Sequence, residues 1–210
     1  MNDAFTLVHA DAALVAVDKP AGLHTVPGRG ALAHGSLAER VRHLHADALV
    51  VHRLDMATSG LVVFARGAAA QRALSIAFAA RRVAKRYQAV VAGLVAAEEG
   101  AIELPLAADW PRRPRQCVDF ERGKAARTRW RVLGRDAAAA RTLLQLEPVT
   151  GRAHQLRVHL LAIGHPIVGD ALYAPEPAAP RLLLHACALA LPHPLDGALL
   201  ELTSPVPFAL

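Results

Sequence analysis

Val50-Val51-His52-Arg53-Leu54-Asp55-Met56-Ala57-Thr58-Ser59-Gly60-Leu61-Val62-Val63 holds two apolar, valine-rich runs around a polar loop. The runs have the length and β-branched content of strands, so the stretch predicts a carboxylate, Asp55, at a strand end with Arg53 close by in sequence. Thr58 and Ser59 supply hydroxyls that can tie such a loop to its own backbone. The same residues also fit an aspartate that only caps a turn, and local physics favours that reading because turn aspartates are common.

Working outward, Leu14-Val15-Ala16-Val17 predicts a buried strand that leaves through the turn Asp18-Lys19-Pro20-Ala21-Gly22. His24 to Gly30 has too many breakers for a regular element. Ser36 opens a helix as N-cap, with Glu39 three residues on in a capping-box pattern. Gly60 to Ala65 reads as a strand, Ala68 to Arg82 as an alanine-rich helix and Tyr87 to Ala92 as a further strand. Two prolines forbid a central strand or helix interior at Asp109-Trp110-Pro111-Arg112-Arg113-Pro114-Arg115, which is expected to be an exposed basic loop. Strands are expected at Thr128–Val132, Thr142–Leu146, Leu182–Leu184 and Leu199–Leu202, and a helix at Ala153–Ile163, stopped by Gly164 and Pro166. Strands outnumber helices without alternating regularly with them. The predicted class is therefore α+β, a mixed, mainly antiparallel sheet with flanking helices and loops.

The 210 residues suit one domain, and 53% hydrophobic content is ample for its core. Lysine and arginine number 24 against 18 acidic residues, a net charge of +6 that favours an anionic partner such as nucleic acid. Cys117 and Cys187 stand far apart in no CxxC pattern, which suggests neither a disulfide framework nor a zinc cluster and fits a reducing cytoplasm. No apolar run approaches the span of a bilayer, and Asp3 stands where a signal peptide needs basic residues, so neither membrane insertion nor export is expected.

In Thr150-Gly151-Arg152-Ala153-His154-Gln155-Leu156-Arg157-Val158-His159-Leu160-Leu161, a helix would gather Leu156, Leu160 and Ile163 on one face and set His154 and Arg157 three apart on a neighbouring one. For the helix taken alone, a basic amphipathic helix with solvated polar groups explains that pattern better.

His52-Arg53-Leu54-Asp55 with Thr58-Ser59-Gly60-Leu61 resembles the signature of the RluA family of RNA pseudouridine synthases, and Gly151 to His159 resembles its second hallmark. Further matches run along the chain in the family's order: Val17 to Leu23, Val26-Pro27-Gly28-Arg29, Lys85-Arg86-Tyr87, Gly164 to Asp170 and Leu182 to Ala186. Ala153 stands where the family commonly has Thr or Ser. The resemblance implies a single pseudouridine synthase catalytic domain over residues 1–210, with no N-terminal S4 domain. It implies an isomerase that breaks the ribose C1′ to uracil N1 bond and joins C1′ to C5, with no cofactor and no metal. Asp55 is then the catalytic carboxylate, acting as nucleophile at C1′, nucleophile at C6 or base at C2′, three routes the sequence leaves open. Arg157 matches the arginine that pairs with it and keeps it ionised, and Tyr87 the tyrosine that stacks on the target uracil.

Arg53 matches a residue that fills the space of the flipped nucleotide. His52, Arg152, His154 and Gln155 are expected to bind substrate, and Arg112 and Arg113 to contact phosphate. The chain's length and its Asp109–Gln116 segment resemble the family's dual-specificity member, which implies a uridine in a tRNA anticodon stem-loop and one in a 23S rRNA hairpin, modified by a monomer in the cytoplasm. The alternatives are an RNA-binding or folding factor with relic catalytic residues, and a glycosidase that hydrolyses a nucleoside bond.

Overall fold

The computed structural model describes residues 5–28, 34–174 and 179–210. Arg29 and Gly30, at the end of the glycine-containing loop, and Met1 to Ala4 lie outside the described residues. The chain divides into two compact units, Met1–Lys85 with Ala186–Pro205, and Arg86–His185 with Val206–Leu210.

The first unit is built on antiparallel pairing of β1 (Thr6–Ala10) with β2 (Leu14–Lys19), and of β2 with β4 (Ser59–Arg66). Short β3 (Ala48–Val50) also pairs with β4, and β11 (Leu184–Pro192) lies beside β4 with β12 (Leu199–Thr203) on its other edge. β4 reads as a continuous apolar run because all of it except Arg66 is buried. Helix α2 (Gly67–Ala79) closes one face by setting Ala70, Leu74 and Ala77 against Leu14, Leu61, Val63 and Leu191. Helix α1 (Leu37–Leu44) begins where the sequence sets it, with Ser36 Oγ accepting from the Glu39 N–H and Glu39 returning the bond to the Ser36 N–H. Gly60 cannot carry a side chain: its φ is +113°, and a Cβ there would stand 2.3 Å from the Ala186 carbonyl oxygen.

In the second unit β5 (Ala84–Ala92), β10 (Arg141–Pro148), β9 (Arg127–Asp136) and β6 (Glu99–Glu103) lie side by side in that order, each pair antiparallel. β7 (Leu106–Ala108) and β8 (Gln116–Val118) form a separate two-stranded ribbon, and helix α3 (Gln155–Ala162) buries Val158 with Leu106, Ala126 and Tyr173. The described chain is thus α+β with a mainly antiparallel sheet and three α-helices.

Two expectations need correcting. The late strand does not occupy Leu182–Leu184 but begins at Leu184 and runs to Pro192; the small residues Ala186, Ala188 and Ala190 dilute its apolar signal. Helix α3 begins at Gln155, because His154 has φ +51°, a left-handed conformation that a helix cannot continue through. His154 and Arg157 therefore do not share a helical face. Nor is α3 half-solvated: Gln155 through Leu160 are all buried.

Candidate active site

Asp55 lies in the first unit, between two residues whose backbones are held from outside the loop. Thr25, 2% exposed, donates its hydroxyl to the Leu54 carbonyl at 2.8 Å and accepts the Leu54 N–H at 3.1 Å. One residue beyond Asp55, the Met56 carbonyl accepts from the Gly22 N–H at 2.8 Å and from Lys19 Nζ at 3.1 Å. The Asp55 carbonyl itself accepts the Thr58 N–H at 3.1 Å. A half-buried carboxylate on a loop fixed at the positions before and after it loses little freedom when a substrate arrives.

Lys19 is wholly buried and donates to three carbonyls, those of Pro20 (2.8 Å), Leu23 (2.8 Å) and Met56 (3.1 Å). Its ammonium joins the Pro/Gly turn after β2 to the Asp55 loop, a role the sequence match at this turn did not reveal. A buried cation is tolerated there because each of its three N–H donors meets an oxygen.

His52, expected to bind substrate, is turned into its own unit. Its Nε2 accepts the Val63 N–H at 2.9 Å, and its ring stacks on Phe78 at a centroid distance of 4.7 Å. Burial and the neighbouring Lys85 ammonium push its pKa down to about 3, so the ring is neutral. Burial also lowers the Lys85 pKa. Arg53 is exposed.

Tyr87 and Arg157 lie in the second unit. Tyr87 stands on β5 opposite Leu146 of β10 and is half-buried. Arg157, 4% exposed, makes a bidentate pair with Asp170: Nε to Oδ2 at 2.8 Å and Nη2 to Oδ1 at 2.7 Å. Asp170 Oδ1 also accepts the N–H groups of Leu172 and Tyr173. Tyr173 completes the group, with its ring beneath the Arg157 guanidinium at 4.9 Å and its hydroxyl 2.7 Å from both His154 Nδ1 and the Gln116 N–H nitrogen. Burial raises the Tyr173 pKa, so it remains a neutral phenol. Neither Asp170 nor Tyr173 was singled out from the sequence. The signal for Asp170 was its place at the end of the matched Gly164–Asp170 segment, beside Gly169, where a Cβ would meet the Arg181 carbonyl oxygen at 1.9 Å.

Gln155 does not present its amide to a ligand. Its Oε1 accepts from Thr150 Oγ1 and the Arg152 N–H, and its Nε2 donates to the Arg127 carbonyl and Thr128 Oγ1, so every hydrogen-bonding position is used internally. Arg152 is exposed and donates from Nε to the Ala125 carbonyl. Arg112 pairs with Asp109 at 2.7 Å, and Arg113 lies over the Trp110 ring at 3.3 Å. Among the described residues no group of three or more His, Cys, Asp or Glu is placed to hold a metal ion, and no helix is long and apolar enough to cross a membrane.

The family model described as RNA pseudouridylate synthase matches residues 13–162, which include the Asp55 loop, β5 and the whole of α3. The chain belongs to the RNA pseudouridylate synthase family. It is 45% identical over 206 residues to the dual-specificity RNA pseudouridine synthase RluA of Escherichia coli K12, covering 96% of this chain and 93% of that protein. The protein of the same name from Yersinia pestis is 47% identical over 194 residues, covering 91% and 94%. Among solved structures, human RNA pseudouridylate synthase domain containing 1 superposes with a TM-score of 0.82 at 29% identity, over 98% of this chain and 84% of the human one. As a pseudouridine synthase the chain is an isomerase acting on RNA. The clamps on residues 54 and 56 thus hold the one aspartate of the matched His52-Arg53-Leu54-Asp55 motif.

Proposed function

We propose that the chain converts uridine to pseudouridine in two RNAs, a tRNA anticodon stem-loop and a 23S rRNA hairpin, as a cytoplasmic monomer. The dual-specificity name of relatives at 45–47% identity supports a substrate pair. The resemblance of the Asp109–Gln116 segment and of the length to the dual-specificity member supports this particular pair.

Asp55 is the carboxylate that opens the reaction. The C1′–N1 bond breaks, the uracil turns, C1′ joins C5, C5 loses its proton and N1 gains one, so atoms balance without an external reagent. Tyr87 stacks on the uracil, and Arg157 supplies the positive charge that favours an ionised carboxylate. A base inside a stem must first be extruded at a cost of a few kcal/mol, which stacking of roughly 1–3 kcal/mol on an aromatic ring offsets in large part. Arg53, exposed two residues before Asp55, fills the vacated space.

The observation that carries this reading is the fixed placement of Asp55 between the clamped backbones of Leu54 and Met56. Asp55→Asn keeps the shape and removes the charge that all three routes need. Pseudouridine formation on both stem-loops is expected to fall to background while RNA affinity persists. Substantial turnover by the folded variant, with deamidation excluded by mass spectrometry, would defeat it. Release of free uracil by the unaltered chain would favour a hydrolase instead.

A further inference from the structure

The ribbon of β7 and β8 exposes two large rings. Trp110, in the turn after β7, is 67% exposed, and Phe120, just after β8, is 77% exposed. Each ring is carried by backbone that is already fixed. At the first turn the Asp109 N–H donates to the Arg115 carbonyl, Arg115 to Arg112 and Arg112 to Asp109, while the 8% exposed Asp109 carboxylate holds the Arg112 guanidinium at 2.7 Å. At the second, Asp119 Oδ1 accepts the N–H groups of Glu121 and Arg122, and the Asp119 carbonyl accepts that of Gly123. Gly123 has no room for a side chain, since a Cβ would stand 2.1 Å from that same carbonyl oxygen. A ring held in water by a rigid turn gains nothing for folding, but it enters a complex with little ordering still to be done.

The surroundings say what such rings meet. From Arg112 to Lys124 there are five cations against two acids, Asp119 and Glu121, and Asp119, like Asp109 just before, is occupied by the turns themselves. Arg113 covers one face of the indole at 3.3 Å, and at 67% exposure the opposite face is left to solvent. Aromatic faces interleaved with guanidinium groups suit unpaired nucleotides, whose bases stack while their phosphates meet the cations; an apolar protein surface would have to desolvate those charges.

Resting on the assignment of the chain to RNA modification, we infer that Trp110 and Phe120 are stacking platforms for unpaired bases of the substrate RNA other than the target uridine. This makes the two rings determinants of specificity for looped over fully paired RNA, and it requires at least one further unpaired base in the substrate.

The chain has two tryptophans, Trp110 and Trp130, so the indole emission that Trp110→Leu removes is the component of the first ring. An anticodon stem-loop is expected to quench the Trp110 component, and a fully paired duplex of equal length to quench it much less. Trp110→Leu should remove the quench and weaken Kd for the stem-loop roughly 5- to 150-fold, which is about 1–3 kcal/mol of stacking at 1.4 kcal/mol per tenfold. Trp110→Phe keeps a ring face and should stay within about threefold of the unaltered Kd, and Phe120→Leu against Phe120→Tyr should repeat the contrast. The log-log salt slope should not change in either leucine variant, because no phosphate contact is lost. Equal affinities for Leu and Phe at Trp110, or equal quenching by loop and duplex, would overturn the inference even if the unaltered enzyme forms pseudouridine normally. Absence of turnover by the unaltered enzyme on every RNA would instead remove the functional reading beneath it.

Discussion

Lys19 and His52 both stand within reach of the Asp55 loop in sequence or space, yet neither faces a ligand; each holds the loop's frame. Replacing Lys19 by Met keeps the length of the side chain but takes the ammonium from three carbonyls, of which that of Met56 keeps the Gly22 N–H. Unfolding in urea is expected to show a loss of about 2–5 kcal/mol, because buried acceptors left unpaired retain their desolvation cost. Undiminished stability would mean that water takes the place of the ammonium. His52 has a pH signature. Its folded pKa, about 3, lies below the ordinary value near 6.5, so the unfolded chain binds a proton that the folded chain refuses. Its contribution to stability is present above pH 6.5 and is lost as pH falls toward 3, at up to about 1.4 kcal/mol per pH unit. Between pH 7 and 5, His52→Gln, which preserves an acceptor for the Val63 N–H, should lose about 2 kcal/mol less than the unaltered chain. Equal losses in the two proteins would show that His52 protonates freely.

At the scale of elements, α3 is buried from Gln155 to Leu160, and its Arg157 is ion-paired with Asp170 of the segment that follows it. Arg157→Met would leave Asp170, 1% exposed, without its cation, and a loss of about 3–5 kcal/mol is expected in thermal or urea unfolding. Pairing Arg157→Met with Asp170→Leu removes both charges and should restore much of that stability. If Arg157 also serves the reaction, the double variant will be stable and still impaired in pseudouridine formation. Recovery of activity along with stability would confine Arg157 to a structural role. Helix α1 depends on a smaller device: Ser36→Ala breaks the capping box and should cost about 1 kcal/mol, measurable as a shift in the urea midpoint at constant slope.

For the molecule as a whole, a net charge of +6 implies RNA affinity that falls with salt. The two arginines of the β7–β8 turn should contribute unequally. Arg112 already holds Asp109, whereas Arg113 is engaged by a neutral ring. Arg113→Ala is expected to reduce the log-log slope by roughly 1 unit, and Arg112→Ala by less, since the Arg112 guanidinium is already paired with a carboxylate and has less charge to offer phosphate. Identical slopes in all three proteins would take the turn out of the RNA footprint.

The sequence by itself determined the class of the fold, the strands on either side of Asp55, the Ser36 cap and, through short motifs in a fixed order, the reaction. These features are local: apolar runs, breakers and caps act over a few residues, and a motif is a string. Only the tertiary structure decided what His52, Gln155 and Arg157 are bonded to, because Val63, Thr128 and Asp170 lie 11, 27 and 13 residues away and nothing in a period or a propensity reports such distances. The same holds for Lys19, whose third carbonyl is 37 residues on. Its burial reverses what its charge suggests, since a lysine in a turn reads as solvated until three oxygens are found around it. His154 shows the limit within a single element: the helix read from the sequence starts at Ala153, and a left-handed backbone angle at His154 starts it at Gln155 instead.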